Sequence, residues 1–394
     1  MDYARGVPAP DAPLSHADRH QAETLTLLRR WVERDSFTAE IDQVNAMGAL
    51  LQNAFGLPEL ALDARAGRGF GDHLCFRTPA WDREPEARLL LLGHHDTVFP
   101  PGTFQGWHED GSRARGPGVL DMKGGIATVH AALSALSASG VLAEIPLAFV
   151  CVSDEEVGSP DSRPFTAEWA QGARAALVFE AGRPTDAIIT ARKGTGSVTA
   201  RAHGKAAHAG NAHAEGTNAI WALARFVDAA QSLTDYERGV TVNVGTITGG
   251  SSKNTVPDHA ECVLDFRIVQ RADGGRVMTE LGAAAEKIAR GSGARIELEG
   301  GVRRPPLERS DASVALYRRY AACAAAETLG DIESPLLGGG SDANDVAALG
   351  VPVIDGLGPR GRGFHTHDEQ IEMPTVLLRT RALIRFLCAW TSPD

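Results

Sequence analysis

One segment places a histidine and an acid directly after an apolar run. His94 and Asp96 follow the run at 88–93, and in an extended backbone their side chains point to the same side. A carboxylate two residues along can accept the second N–H of a metal-bound imidazole and so orient it. On this pattern alone, a polar loop with incidental histidines, His95 included, is the alternative interpretation.

Acidic residues directly follow two further apolar, strand-like runs. Asp154, Glu155 and Glu156 come after one run, and Glu180 comes after the other. Three consecutive acids repel one another, and a bound cation would remove this conflict, whereas a solvated acidic turn is the alternative. Two adjacent glutamates can also divide the roles of metal ligand and general base.

Two more segments carry ligand types whose alternatives are structural. Asp121 lies just before a predicted Ala-rich helix, where capping of the helix N-terminus competes with metal binding. His365 and His367 lie in a glycine-rich loop. Together, the candidate donors are carboxylates and imidazoles without a thiolate, a set that suits zinc, cobalt or manganese.

The predicted elements that would position these residues are buried strands and the helices between them. The strands are predicted at 88–93, 145–152, 175–179 and 351–355. The helices are predicted at 124–138, 311–328 and 374–390. Strands that alternate with helices predict an α/β domain whose central sheet is mixed, mostly parallel and flanked by helices.

The middle of the chain has a different pattern. Alternating, strand-like segments occur at 196–203, 240–245 and 260–268, with helical stretches at 218–233 and 276–292. Two helices beside antiparallel strands predict a small α+β module. We therefore predict a discontinuous catalytic domain over 1–193 and 305–394, interrupted by an inserted domain over 194–304. Residues 1–15, rich in Pro and Ala, are predicted to form a loose arm.

Composition excludes several classes of protein. The 394 residues include 39 Lys+Arg and 50 Asp+Glu, a formal net charge of −11, and no run of basic residues that would indicate nucleic-acid binding. No stretch reaches the roughly 18 apolar residues of a membrane span, and the N-terminus lacks the pattern of a secretory signal. The five cysteines are scattered and form no C-x-x-C pair. These features predict a cytoplasmic protein with reduced thiols and no membrane partner.

The motifs, taken in chain order, resemble those of one enzyme family. From about residue 20 to the C-terminus the sequence is similar to the dinuclear-zinc amidohydrolases and exopeptidases, which include glutamate carboxypeptidase, acetylornithine deacetylase, succinyl-diaminopimelate desuccinylase and aminoacylase-1; it most resembles the glutamate carboxypeptidase-like members. The motifs are H-x-D-T-V at 94–98, G-x-x-D-x-K-G-G at 118–125, D-E-E-x-G-S at 154–159, F-E at 179–180, G-K-x-x-H-A-G at 204–210, N-x-V-P at 254–257 and G-x-H-T-x-x-E at 363–369.

The resemblance implies two divalent ions per chain, zinc by preference, with cobalt or manganese as alternatives. The implied ligands are His94 and Glu180 for one ion, Glu156 and His365 for the other, and Asp121 as the bridge between them. The register with the family motifs selects His94 over His95 and His365 over His367. Asp96 would orient His94, and Glu155 would be the general base that moves a proton from a shared water to the leaving nitrogen.

The resemblance also implies roles for the inserted domain and for substrate-binding residues. This domain would be ferredoxin-like, with two helices on a four-stranded antiparallel sheet, and would act as a lid and as the interface of a homodimer. His208 would stabilise the oxyanion, often from the partner subunit; a surface histidine is the alternative. Arg267 and Asn254 would hold the substrate carboxylate, since an arginine fork donates two parallel bonds, whereas a surface arginine at a strand end is the alternative. Gly339 and Ser341 lie in a segment that resembles the family's glycine-rich substrate loop.

The residue type at position 180 bears on the reaction. A glutamate there resembles the carboxypeptidases and deacylases, whereas an aspartate is typical of the aminopeptidases and dipeptidases. We therefore expect hydrolysis of an amide bond in a small N-acyl amino acid or short peptide, with release of a free amino acid. Arg192 and Lys193 are either side-chain-selecting charges or surface charges near the domain junction. The alternatives are a dipeptidase or aminopeptidase of the same family and a non-catalytic binding member.

Overall fold

The computed structural model of the protein describes residues 9–390, so the first eight residues of the predicted arm lie outside the described residues. The helices are α1 (Asp11–Arg19), α2 (Gln21–Val32), α3 (Ile41–Ala54), α4 (Pro79–Arg83), α5 (Gly124–Ala138), α6 (Arg163–Ala170), α7 (Ala219–Gln231), α8 (Arg271–Ser292), α9 (Asp311–Ala325), α10 (Asp342–Ala347) and α11 (Pro374–Trp390). Residues 11–15 therefore begin the first helix and are not part of a loose arm.

The strands of the described part of the chain range from two to ten residues in length. They are β1 (Ala61–Arg65), β2 (His73–Arg77), β3 (Leu89–His94), β4 (His108–Asp110), β5 (Arg113–Arg115), β6 (Leu147–Val152), β7 (Ala175–Val178), β8 (Gly194–His203), β9 (Ala207–His208), β10 (Thr241–Gly249), β11 (Thr255–Val256), β12 (His259–Ile268), β13 (Arg295–Arg304), β14 (Val353–Ile354), β15 (Gly361–Arg362) and β16 (Gln370–Glu372). No helix within residues 9–390 combines the length and apolar character that crossing a membrane requires.

The chain divides into two compact units. Unit 2 comprises Ala191–Glu308 and Leu337–Gly340, and unit 1 comprises the other described residues. The predicted boundaries, after residues 193 and 304, both lie inside unit 2. The two connecting segments pair with each other, because Arg192 and Leu307 exchange backbone hydrogen bonds of 3.0 and 3.1 Å. This pairing extends unit 2 beyond the predicted range.

Unit 1 is built on a six-stranded sheet in the order β1-β2-β6-β3-β7-β14. The strands β6, β3, β7 and β14 are parallel, whereas β2 and β1 continue the sheet antiparallel at one edge. The prediction of a mixed, mostly parallel sheet is therefore confirmed. Strands β1 and β2 were not predicted, and every residue of β1 is exposed, so its sequence carries no hydrophobic alternation.

The central strands of unit 1 are buried along their whole length. Every residue of β3, β6 and β7 is buried, as expected when helices cover both faces of a parallel sheet. Helix α5, buried over most of its length, packs against α11, and both contribute to the unit 1 core. This rigid core fixes where each central strand ends.

Unit 2 contains an antiparallel sheet in the order β10-β12-β8-β13, with helices α7 and α8 packed against it. Strand β8 alternates buried and half-buried residues, which is the pattern of a sheet with one covered face. The inserted α+β fold is therefore confirmed. Strand β13 lay outside the predicted strand segments. Its glycines 300 and 301, at φ +119° and +155°, interrupt the alternation that marks a strand.

Candidate metal centre

The candidate ligands follow three neighbouring parallel strands. His94 ends β3, Glu155 and Glu156 follow β6, and Glu180 follows β7. Because β6, β3 and β7 are adjacent and parallel, their carboxyl ends meet at one edge of the sheet, where α/β proteins commonly bind ligands. The fold therefore brings these four side chains to the same place.

Asp121 lies between two imidazoles. Its Oδ1 atom is 3.2 Å from Nε2 of His94, and its Oδ2 atom is 3.2 Å from Nε2 of His365. Each imidazole also faces a second carboxylate: Glu180 Oε1 lies 3.7 Å from His94 Nε2, and Glu156 Oε2 lies 3.1 Å from His365 Nε2. The result is two clusters of one imidazole and two carboxylates that share Asp121.

Asp121 itself does not cap the helix that follows it. Helix α5 begins after Lys123 and has no side-chain cap, and Asp121 lies in the distorted turn Val119–Lys123. The capping alternative for this residue is therefore absent from the described structure.

Glu155 also lies close to this centre. Ligand atoms of His94, Glu155 and Glu180 lie within 4.8 Å of one another, as do those of His94, Asp121 and Glu156. These two groups of residues differ from the ligand sets that the family resemblance implies, because each group contains His94 together with one of the two adjacent glutamates. Glu156 also contacts His365, with Oε2 3.1 Å from the His365 Nε2 atom.

The electrostatics of the cluster are those of crowded, buried acids. Burial and repulsion from Asp121 raise the pKa of Glu156 to about 8, and the same two causes raise the pKa of Glu180 well above its ordinary value. Hydrogen bonds to Asp121 and Glu156 raise the pKa of His365 to about 10. Burial disfavours a charged His94, but hydrogen bonds to Asp121 and Asp96 still hold its pKa well above the ordinary value. The site therefore retains protons that a divalent cation could replace.

The histidines next to the cluster point elsewhere. His95 is completely buried, its Nδ1 atom lies 3.6 Å from the Cys151 sulfur, and burial lowers its pKa to about 3. The ring of His367 packs 5.5 Å from that of Phe104. Of each predicted pair, the structure thus brings His94 and His365, rather than their neighbours, to the carboxylates.

Asp96 supports two parts of the centre. It is fully buried, with Oδ1 3.3 Å from His94 Nδ1. It also accepts backbone N–H bonds of 3.3 Å from both Glu155 and Glu156, and a 2.8 Å bond from the Thr38 hydroxyl. One carboxylate therefore holds the His94 ring and the turn that carries the two glutamates. Thr38 was not predicted, since no motif includes it.

Asp154, the first of the three consecutive acids, has a structural position. It is buried, and its Oδ2 atom accepts backbone N–H bonds of 2.8 Å from Asp161 and 3.1 Å from Ser162. It therefore stabilises the turn before α6. The 154–156 segment is thus neither a solvated acidic turn nor a set of three equivalent ligands.

Two buried charged residues near Asp121 belong to the sequence motifs, but the sequence analysis assigned them no role. Lys123 donates a 2.8 Å bond to the Arg34 carbonyl, and burial lowers its pKa to about 8. Burial, together with repulsion from Asp121, raises the pKa of Glu369 to about 8. Their burial, which the sequence does not show, is what marks them, because charged side chains are rarely fully buried without a function or a partner.

His208 and Asn254 come together in unit 2. Strand β9 pairs with β11, and His208 lies opposite Thr255, the residue after Asn254. The Nδ1 atom of His208 accepts backbone N–H bonds of 3.1 and 3.0 Å from Gly210 and Asn211. Since Nδ1 accepts, the proton is on Nε2, and the exposed ring presents an N–H donor.

Arg267 is held by its own strand. Its Nε and one terminal nitrogen donate to the two carboxylate oxygens of Asp265 at 2.8 and 3.0 Å, and the other terminal nitrogen lies 3.4 Å from the Gly338 carbonyl. Its guanidinium has five N–H donors, so donors remain for a further acceptor.

Arg192 is buried and donates a 3.1 Å bond to the Gly339 carbonyl, so it is not a surface charge.

Ser341 has a structural position. It is buried, donates a 2.7 Å bond to Asp355, and accepts a 3.3 Å bond from the backbone N–H of Ala343 as the N-cap of α10. Its hydroxyl is therefore engaged by the start of the helix.

Asn254 lies at the surface. Its side chain accepts a 2.9 Å bond from the Ser252 hydroxyl.

Comparison with known proteins supports the same family throughout. A sequence profile described as Peptidase family M20/M25/M40 matches residues 90–389. Carboxypeptidase G2 of Pseudomonas sp. (strain RS-16) is 32% identical over 295 residues, 71% of this chain and 68% of that protein. Succinyl-diaminopimelate desuccinylase of Psychrobacter arcticus is 25% identical over 378 residues, 90% of this chain and 91% of that protein. The solved structure of aminopeptidase PepT from Bacillus cereus has the same fold, with a TM-score of 0.78 at 23% identity over 94% of this chain and 99% of that one.

Proposed function

This chain belongs to peptidase family M20/M25/M40 and is a hydrolytic enzyme, and we propose that it cleaves an amide bond to release a free amino acid. The reaction is that of a carboxypeptidase or an N-acyl-amino-acid deacylase. The similarity to carboxypeptidase G2, together with the glutamate at position 180, supports this choice over a dipeptidase.

The observation that carries the proposal is the position of Asp121 between two imidazoles. We assign Asp121 as the bridging ligand, His94 and Glu180 as ligands of one ion, and His365 and Glu156 as ligands of the other. The residues fit two divalent ions because buried carboxylates repel one another and because all donors are oxygen or imidazole nitrogen. This donor set favours zinc, with cobalt or manganese as alternatives.

The remaining residues of the centre supply proton transfer and orientation. When bound, two such ions would polarise the scissile carbonyl and increase the acidity of water. Glu155 takes the proton of the attacking water and passes it to the leaving nitrogen, which requires a carboxylate within reach of both. Asp96 accepts from His94 Nδ1 and so keeps Nε2 directed at the centre.

Three residues of unit 2, the exposed His208 and Asn254 and the half-buried Arg267, contact the rest of the substrate. The Nε2–H of His208 donates to the oxyanion of the tetrahedral intermediate. Arg267 and Asn254 bind the carboxylate of the released amino acid, and the Asp265 contact holds the Arg267 fork in one orientation. The substrate is therefore an N-acyl amino acid or a short peptide with a free carboxylate.

Unit 2 also carries a surface suited to a homodimer. Strand β10 is an edge strand without a charged residue, and Ile247 on it is 55% exposed. The other edge, β13, carries several Arg and Glu residues, which discourage strand pairing. Trp221 on α7 is 50% exposed, so the apolar surface of unit 2 is not limited to β10.

Light scattering tests the dimer. Ile247→Lys should convert the dimer to a monomer, whereas Val302→Lys on β13 should not. A monomeric wild type would contradict the dimer.

The absence of disulfide bonds among the five cysteines, all of them described, supports a location in a reducing compartment, the cytoplasm. All five are free and buried in the structure, at positions 75, 151, 262, 323 and 388. A buried thiol behaves as a small apolar side chain and needs no disulfide partner. Fractionation of cells that express the chain would test this location.

The first experiment combines metal content with a substrate panel. Metals are counted in the purified protein, and N-acyl amino acids, their carboxamide analogues and dipeptides are assayed before and after chelation. We expect about two ions per chain and release of an amino acid only from substrates with a free carboxylate. Cleavage that prefers substrates with a free amino group would instead indicate a dipeptidase. Bound metal without turnover would indicate a binding protein, and absence of metal would contradict the site.

A further inference from the structure

Glu369 is a buried carboxylate that contacts the backbone beside Asp121. Its side chain is completely buried, and Oε1 accepts N–H bonds of 2.8 Å from Leu120 and 3.0 Å from Asp121. This single oxygen therefore accepts from two successive backbone amides, those of Leu120 and Asp121.

The backbone of Glu369 contacts two turns. Its carbonyl accepts a 3.2 Å bond from the N–H of Gly116, at the start of the segment that leads to Asp121. Its own N–H donates a 3.1 Å bond to the carbonyl of Thr366, directly after His365. One residue therefore binds both ends of the turn before Asp121 and closes the turn over 366–369, which directly follows His365.

The backbone at His365 needs such support. His365 has φ +61°, a left-handed conformation that is unfavourable for a residue other than glycine and persists only when its surroundings hold it. Asp121 lies outside regular helix geometry, with φ −118° and ψ 91°. By contrast, His94 is the last residue of a buried strand and is also held by Asp96.

From these contacts we propose that Glu369 is a positioning residue that couples Asp121 to His365. The proposal rests on the proposed function, in which these two residues share the ion on the Glu156 side. Loss of the Glu369 acceptor should therefore weaken that ion first. The ion on the His94 side should be retained longer, because His94 and Glu180 follow strands of the central sheet.

The test separates the position of the acceptor from its charge. Glu369→Gln keeps an oxygen acceptor at the same length without the charge, whereas Glu369→Asp keeps the charge but withdraws the acceptor by one methylene. Glu369→Leu removes both in a similar volume. Asp368→Asn, at the exposed neighbouring position, is the matched control.

The measurements are zinc binding by equilibrium dialysis and hydrogen exchange of the 116–123 segment in the full chain. We expect the Asp and Leu variants to bind the second zinc ion about 10–100-fold more weakly, as is usual when a supporting residue of a metal ligand is lost, and to exchange the amides of residues 120 and 121 faster. The Gln variant and the control should resemble the wild type. The absorption spectrum of the cobalt-substituted protein should change in the same variants.

Two outcomes would overturn this role. If the Asp variant binds both ions like the wild type while the Gln variant does not, charge rather than acceptor position is what matters. If all variants bind two ions with unchanged exchange, Glu369 does not position the ligands, although the proposed function stands. If the Leu variant does not fold, the comparison of the Gln and Asp variants still decides. A wild type that binds no zinc would contradict the proposed function itself.

Discussion

Nε2 of His94 lies 3.2 Å from Oδ1 of Asp121, although the two residues reach this contact by different routes. His94 is placed by the end of a buried strand, whereas Asp121 is placed by a turn that depends on distant residues. The contact thus joins a rigid element to one held by side-chain and backbone hydrogen bonds. Substitutions at the centre should therefore differ in whether they remove metal, chemistry or both.

Asp121→Asn should remove metal from both positions. An amide offers only one oxygen, and its NH2 group would face either His94 or His365, so it cannot bridge two ions. Metal analysis after gel filtration should show loss of both ions, with turnover lost in parallel. Asp110→Asn, an exposed aspartate on β4, is the control. Full occupancy in the Asp121 variant would refute the bridging assignment.

Glu155→Gln should preserve metal and lose chemistry. A general base contributes about 10²–10⁴-fold to the rate, so kcat should fall by at least about 10²-fold while KM changes little. The variant should retain the metal content of the wild type. Glu168→Gln, an exposed glutamate on α6, should leave kcat unchanged. Near-normal turnover in the Glu155 variant would remove this residue as the base.

The metal-free protein should become less stable as the pH rises from about 7 to about 8. Glu156 and Glu369 have their pKa raised to about 8, and His365 to about 10, so the folded state keeps protons that the unfolded chain has released. Stability falls with pH wherever the folded state binds more protons. Above about pH 8 the lowered pKa of Lys123 acts in the opposite direction, which closes the window.

Thermal unfolding of the chelated protein measures this effect. The melting temperature should be lower at about pH 8 than at about pH 7, and added zinc should raise it more at the higher pH, because the ion replaces protons on its ligands. Glu156→Gln should flatten the dependence in the chelated protein. A melting temperature that rises over this interval would show that the cluster does not retain protons.

Mixed dimers should reveal whether His208 acts across subunits. Chains with His208→Ala are co-refolded with chains carrying Glu155→Gln, each inactive alone. Partial activity, at most about a quarter to a half of the wild type, is expected if one intact site forms from the two chains. In the control mixture, both chains also carry Ile247→Lys. These chains should not dimerise, so no activity should be restored. Absence of rescue would place His208 in the site of its own chain.

The sequence alone was sufficient for the elements and the residue types of the centre. Hydrophobic runs mark β3, β6 and β7 because buried parallel strands need apolar residues on both faces. Each run is followed directly by a ligand type, so parallel neighbours must bring those groups to one edge. That reasoning needs only local pattern and the order of elements along the chain.

The tertiary structure decided which side chains face the centre and what supports them. Adjacent His94 and His95 have the same local chemistry, and only packing against Cys151 shows that His95 belongs to the core. Glu369 and Leu120 are 249 positions apart, so no local pattern could connect them. The sequence resemblance predicts Ser341 as a substrate contact, and only the folded chain places its hydroxyl against Asp355 and at the start of α10. Hydrogen bonds and burial between distant residues depend on the folded chain as a whole, and sequence spacing does not carry them.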